Sequence, residues 1–292
     1  MPALSFNGNM LAYNGYALYA GAWPGQGLPP YTIKLQYLVG YTPNFKKGTA
    51  THLSADPNIW VLTYKATNWS SLLKDAGGLL AVLEANTTGV VSMTEMFYGC
   101  ERLSYLCPMD TSRVWNMSKM FRYCRLRTIP HLDTSRCTDM SGMFNGCSAL
   151  NEVPQLNTSK CTNMSYMFAD CTSLKSVPLL DSSKCTDMSL MFSMSGLVTS
   201  PVFDTSKCTN MSKMYRKCPS LKEVPLLDTS VCTNMDEMFL DCYNVEGGAL
   251  ALYQQARYQT TPPSSHDGTF WNCGVDTETG YAEYVQIPNT WK

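Results

Sequence analysis

Residues 164–187 read Met164-Ser-Tyr-Met167-Phe168-Ala-Asp-Cys171-Thr-Ser-Leu174-Lys-Ser-Val177-Pro178-Leu-Leu180-Asp181-Ser-Ser-Lys184-Cys185-Thr-Asp187. The opening pattern, Met-x-x-Met-Phe-x-x-Cys, returns with small variations seven times; its first Met is Met93, Met117, Met140, Met164, Met188, Met211 and Met235. Successive spacings are 24, 23, 24, 24, 23 and 24, so the period is a structural unit that tolerates a one-residue deletion. A degenerate copy lies upstream. Trp69, Leu72, Leu73, Ala76, Leu79, Val82 and Asn86 fall in the same register, and Trp69 stands 24 residues before Met93.

Each column of the repeat has a physical reading. Met140, Met143, Phe144, Cys147 and Leu150 follow the i, i+3, i+4, i+7 rule, which predicts a short helix with one apolar face. Asn or Asp stands before the Met in six copies, where it would cap that helix, and Ser92 with Glu95 and Asn234 with Glu237 resemble capping boxes. Leu-x-x-Val-Pro predicts a short strand whose Pro, lacking a donor, ends the pairing. Asp-Thr-Ser then has the chemistry of an Asx or Ser/Thr turn. One such unit cannot bury its own apolar face, so neighbours must stack on a shared core. The expected fold class is an α/β repeat solenoid, leucine-rich-repeat-like and right-handed, with about eight coils of 23–24 residues over 69–246. Coils about 4.8 Å apart would make a rod about 40 Å long.

The run Asp-Thr-Ser-Lys-Cys-Thr-Asn-Met-Ser-x-Met-Phe-x-x-Cys-x-x-Leu resembles the repeats of BspA-like leucine-rich-repeat surface proteins of the Met-Phe variety, over about residues 69–246. The resemblance implies a leucine-rich-repeat-like solenoid and a role in adhesion or recognition, with no catalytic residues to carry over. Where that family shows Val three places before the first Met, this chain has Val90 and Val114 but then Cys137, Cys161, Cys185, Cys208 and Cys232, a packing substitution.

Composition narrows the function. The chain has 292 residues, is 45% hydrophobic and has a net charge of −1; its 15% of charged residues compares with an ordinary value of about 25%. Binding of nucleic acid by bulk charge is therefore not expected, nor is disorder. No apolar run reaches the ~18 residues of a membrane span. Residues 1–33 contain no Lys, Arg, Asp or Glu, which argues against a secretory signal and for reduced thiols. An odd count of 13 Cys without a CxxC pair agrees with free thiols. Cys100, Cys124, Cys147, Cys171, Cys218 and Cys242 form one column, the five that replace Val form another, and Cys107 and Cys273 fall outside both. A column spreads ligands along the array instead of converging them on a metal, so buried packing is the expectation for Cys and Met alike. Asp110, Asp133, Asp181, Asp204 and Asp228, with Asn157, could form a calcium ladder, but their Thr and Ser neighbours favour turn chemistry. His52, His131 and His266 belong to no catalytic motif. No cofactor, metal or enzymatic activity is expected.

The remaining segments divide as follows. Residues 1–23 read as a β-rich attachment segment, 24–30 as a linker and 31–68 as an N-terminal cap with strands at 31–37 and 60–64. Residues 247–292 read as a C-terminal cap with a helix at 249–258, a turn at 262–265 and a final strand at 281–287. The uncharged start, with Phe6, Tyr13, Tyr16, Tyr19 and Trp23, either docks on a larger assembly or sister chain or folds back as a strand pair on its own cap. Positions that vary between copies, Tyr105, Arg127, Asn151, Glu152, Lys175, Lys222 and Glu223, are the candidate recognition strip. Arg102, Arg113, Arg122, Arg125 and Arg136, with Arg127, are expected to make one end of the rod positive. The function expected is non-enzymatic recognition. Similar Met-Phe repeats resemble those of gut-phage virion proteins, which implies a head fibre, tail fibre or decoration protein held through residues 1–33 by a virion protein or sister chains. Its solenoid would bind a host glycan or protein, and a homotrimer is one expected assembly. The alternative is a BspA-like adhesin on a bacterial cell surface.

Overall fold

The structure, a computed structural model, describes residues 11–13, 16–18, 28–53 and 56–292. Its elements run β1 (Leu11–Tyr13), β2 (Tyr16–Leu18), β3 (Thr32–Tyr37), β4 (Thr49–Leu53), β5 (Asp56–Thr63), β6 (Leu79–Asn86), β7 (Tyr105–Leu106), α1 (Ala249–Tyr258) and α2 (Glu278–Tyr284). Both helices follow the eighth copy, so the helical half of the expected α/β repeat is absent from the described residues 69–246.

In place of a helix, Met-x-x-Met-Phe-x-x-Cys makes two consecutive β-turns. The Met96 N–H donates to the Met93 carbonyl, and the Cys100 N–H to that of Phe97, each at 3.1 Å. The third residue of each turn has positive φ, +55° at Glu95 and +72° at Gly99, as a type II turn requires. The ends of a tight turn can face one way and its middle pair the other, so positions 0, 3, 4 and 7 point inward as they would in a helix. Stacking selects the turns. The N–H groups of Met93, Glu95, Phe97 and Gly99 donate to the carbonyls of Asn116, Ser118, Met120 and Arg122 in the next copy at 3.1, 2.9, 2.9 and 2.8 Å. A helix would consume those donors internally and leave no backbone bond between copies. The Asn or Asp before each Met from Met117 to Met235 therefore closes an Asx turn and caps nothing: Asn116 Oδ1 accepts from the Ser118 N–H at 2.8 Å. Glu95 and Glu237 pair with Lys74 and Arg216 of the preceding copy, at 2.7 and 2.8 Å, and form no capping boxes.

The aromatic rings of successive copies stack from Phe97 through Phe121, Phe144, Phe168, Phe192, Tyr215 and Phe239 to Phe270, with centroids 5.1–5.8 Å apart. Phe270 belongs to a ninth copy inside the expected cap. Met235, Glu237, Phe239 and Asp241 donate to the carbonyls of Ser265, Asp267, Thr269 and Trp271. His266, Thr269, Phe270 and Cys273 thus take the Met, Met, Phe and Cys places, and Cys273 joins the first thiol column. The insertion of α1 and two polar residues in the Met places hide this copy in the sequence. The final strand expected at 281–287 is instead α2, whose N-terminus is capped by Thr277 Oγ1 accepting from the Gly280 N–H at 3.1 Å.

At the other end one sheet has the order β4-β5-β3-β6-β7. Strand β3 runs antiparallel between β5 and β6, and β6, which belongs to the first copy, runs parallel to β7. Ile33, Leu35, Tyr37 and Leu62 of this cap join the repeat core. The strand expected after each Leu shrinks to two residues in β7 and to the Glu223–Gly247 bridge on the seventh copy. Later copies carry Pro there, whereas the first copy has none between Leu79 and Asn86 and keeps eight strand residues. Near the N-terminus β1 pairs antiparallel with β2, strands within the segment read as β-rich.

Candidate recognition surface

The interior offers packing and little chemistry. All 13 Cys are buried free thiols. Those of the first column donate backwards: Cys124 Sγ to the Phe97 carbonyl at 3.1 Å and Cys147 Sγ to that of Phe121 at 3.0 Å. Those that replace Val donate within their own copy, Cys161 Sγ to the Asn163 carbonyl at 3.2 Å. Burial pushes the thiols of Cys137 and Cys147 up to about 12 and those of Cys185 and Cys232 up to about 11. At neutral pH they are uncharged donors, not nucleophiles. No group of three or more His, Cys, Asp or Glu converges as a metal site among the described residues, and no described helix is long and apolar enough to cross a membrane. His266 stacks on Trp291 with ring centroids 4.1 Å apart, and His52 lies 4.9 Å from Trp60.

The outer columns differ from copy to copy. Of the strip after each Leu, Arg127, Asn151, Glu152, Lys175 and Glu223 are exposed, while Tyr105 is half-buried in β7 and Lys222 is ion-paired with Glu246 at 2.6 Å. The Asn151 N–H bonds the Arg127 carbonyl at 3.1 Å, which places these residues on adjacent copies. Beside the strip, a shallow cleft of about 820 Å³ crosses the third to sixth copies. One wall is His131, Gln155, Leu179 and Val202; the other is Asp133, Asn157, Asp181 and Asp204. These Asp residues close turns: Asp181 Oδ1 accepts the Ser183 hydroxyl at 2.6 Å and its N–H at 3.1 Å. Bonds from the Ser hydroxyl, then from its N–H, hold the carboxyls of Asp110, Asp133, Asp181 and Asp204 below their usual range.

The six Arg residues all fall in the second and third of the nine copies. Arg102 and Arg125 precede the strip Leu, Arg127 follows it, Arg113 and Arg136 follow Asp-Thr-Ser, and Arg122 lies over Tyr98 and Tyr123 with its guanidinium 5.5 and 4.8 Å from their rings. They occupy four columns of the second and third copies, and the first copy with β3 stands between them and the N-terminal end. Arg113 and Arg136 instead open a column of cations that the sequence reading passed over; its signal was the residue after each Asp-Thr-Ser. Of the attachment candidates, Phe6, Tyr19 and Trp23 lie outside the described residues, and Tyr13 and Tyr16 are described only as paired backbone in β1 and β2.

Stacked copies with a recurring interior and a varied exterior define a repeat protein. The chain belongs to the family described as Mycoplasma protein of unknown function, DUF285, which matches residues 67–173, 91–202 and 186–257, together more than half of the chain. The match falls on the repeats that carry the BspA-like resemblance. A similar solved structure is that of a leucine rich cell surface protein from Faecalibacterium prausnitzii, 14% identical with a TM-score of 0.33; the match covers 69% of this chain and 61% of that one. None of the curated proteins compared with the chain matches it.

Proposed function

We propose that the copies wind into one solenoid and that the protein is a non-enzymatic recognition protein displayed at a bacterial surface. The observation that carries this reading is the division of each copy into a recurring buried set and exposed columns that change residue type from copy to copy. A surface of that kind can be retuned without disturbing the core, which is how repeat arrays serve binding. The BspA-like resemblance and the family match on the same repeats support the cell-surface, adhesin-like form.

Thirteen buried thiols favour a second reading, display on a phage virion assembled in the reducing cytoplasm of its host. In that form residues 1–33 would hold the chain to a virion protein or to sister chains. Immunogold labelling with an antibody against residues 93–246, on a culture holding cells and particles, tests both. Label on intact cells is the expected result, label on virions would transfer the function to the second reading, and label confined to the interior of sectioned cells would overturn both.

A further inference from the structure

We propose that the face following the Asp-Thr-Ser turns binds a linear anionic glycan; this rests on the recognition reading above and assigns its ligand class. Arg113, Arg136, Lys160, Lys184 and Lys207 each stand three residues after the Asp/Asn column, on five successive copies, and all are exposed. None has an ion-pair or hydrogen-bond partner among the described residues. No carboxylate of the described residues lies within 4.0 Å of any of them, although Asp110, Asp133, Asp181 and Asp204 stand three residues before four of them, and Lys184 and Lys207, after the Ser hydrogen bonds, help to hold the Asp181 and Asp204 carboxyls below their usual range; the fourth copy has Asn157 in that place.

Backbone bonds set the spacing of the row. Thr138 donates to the Trp115 carbonyl, Thr162 to Thr138, Thr186 to Thr162 and Thr209 to Thr186, at 2.9, 2.9, 2.9 and 3.0 Å. Each copy is therefore one strand-like step, about 4.8 Å, from the next. The Asp column offsets part of the repulsion among five like charges at that interval, and a chain of anionic groups laid along them offsets the rest. The flanking Ser and Thr columns add hydroxyls, the partners that a polyhydroxylated chain uses. Trp115 occupies the Thr column at the N-terminal end of the row and is 51% exposed, a flat apolar face on which a sugar ring can stack. A single strand of nucleic acid is disfavoured because such sites stack successive bases on successive aromatics, and this row has one.

The test uses the full chain on an array of uronate-, sialate- and sulfate-bearing glycans beside neutral ones, with oligothymidylate as competitor. Two variants accompany it: a quadruple variant, Arg136→Gln with Lys160→Gln, Lys184→Gln and Lys207→Gln, and Trp115→Ala. The expected result is retention on anionic glycans that weakens with salt and falls about tenfold in the quadruple variant, whose circular dichroism stays that of the parent because the replaced side chains are exposed. Equal retention on neutral glycans, no retention on any glycan, preference for oligothymidylate or an unchanged quadruple variant would each overturn the proposal. Adhesion of the labelled chain to bacterial cells separates the two readings. Equal adhesion of parent and quadruple variant overturns the glycan assignment while sparing recognition, and no adhesion by either overturns both.

Discussion

The two sides of one copy are joined to the next by different means. On the Met-Phe side the backbone does it, every second N–H from Met93 to Gly99 donating to the following copy. On the Leu-x-x-Val-Pro side such bonds are sparse, and buried Leu132, Leu156 and Leu180 together with Thr hydroxyls hold the copies, Thr111 and Thr134 each donating to the next copy's Asp133 or Asn157 carbonyl at 2.9 Å. Where backbone carries the stack, outward residues need only tolerate the turn, and Lys, Tyr, Leu and Gly all occupy the positive-φ places. Where side chains carry it, a buried apolar residue recurs, Leu in most copies but Met109 and Phe203 in two, beside a hydroxyl that bonds the next copy at Thr111, Thr134 and Thr205 and is unpaired at Thr158 and Ser182.

Alkali acts on both sides at once and should have the largest effect. The thiols of Cys137, Cys147, Cys185 and Cys232 lie above their ordinary value of 9.0, so the stability of their neutral form is full below about pH 9 and is lost as pH rises through about 11 for Cys185 and Cys232 and about 12 for Cys137 and Cys147. Thermal unfolding followed by circular dichroism should show Tm falling steadily between pH 9 and pH 11; a flat Tm would show that the thiols are not the buried donors described.

Breaking the backbone-tied side alone comes next. Phe168, fully buried between Phe144 and Phe192 at 5.6 Å from each, should cost about 3–5 kcal/mol in urea titration as Phe168→Ala. A loss below 1 kcal/mol would mean that the ring column contributes little beyond the hydrogen-bonded turns.

A coupled substitution links the two sides. Tyr215 replaces Phe in the ring column, and its hydroxyl lies 2.7 Å from Ser200 Oγ, in the place that Ile129, Val153, Val177 and Val224 take in other copies. Tyr215→Phe alone should cost about 1 kcal/mol by leaving Ser200 short of its partner, and adding Ser200→Val should recover most of it. Strictly additive effects in the double-mutant cycle would refute the coupling. The smallest effect is a gain: Tyr166 is exposed with φ +58°, so Tyr166→Gly should be neutral to stabilising by about 0.5 kcal/mol, and a clear loss would show that its ring is held by the neighbouring copies.

Much of the array was legible in the residues. The period, the inward columns, the first copy at Trp69 and the turn role of Asp181 and its relatives all follow from which residues recur and what each side chain can do. The strands β1 and β2 were legible as a β-rich stretch, and the helix α1 from its own pattern. Gly99, Gly142 and Gly146 marked the positive-φ places, a signal that the apolar spacing outweighed.

What the sequence by itself determined is therefore the burial of each column, because apolar recurrence depends only on which side of the chain meets water. Tertiary structure alone decided how the backbone reaches that arrangement. Helix and paired turns put positions 0, 3, 4 and 7 inward alike, and only a neighbouring copy waiting for the N–H groups separates them. The same neighbour assigns Phe270 to a ninth copy and sets Arg113, Arg136, Lys160, Lys184 and Lys207 in one row, since residues far apart in the chain become adjacent only when one copy is laid upon the next.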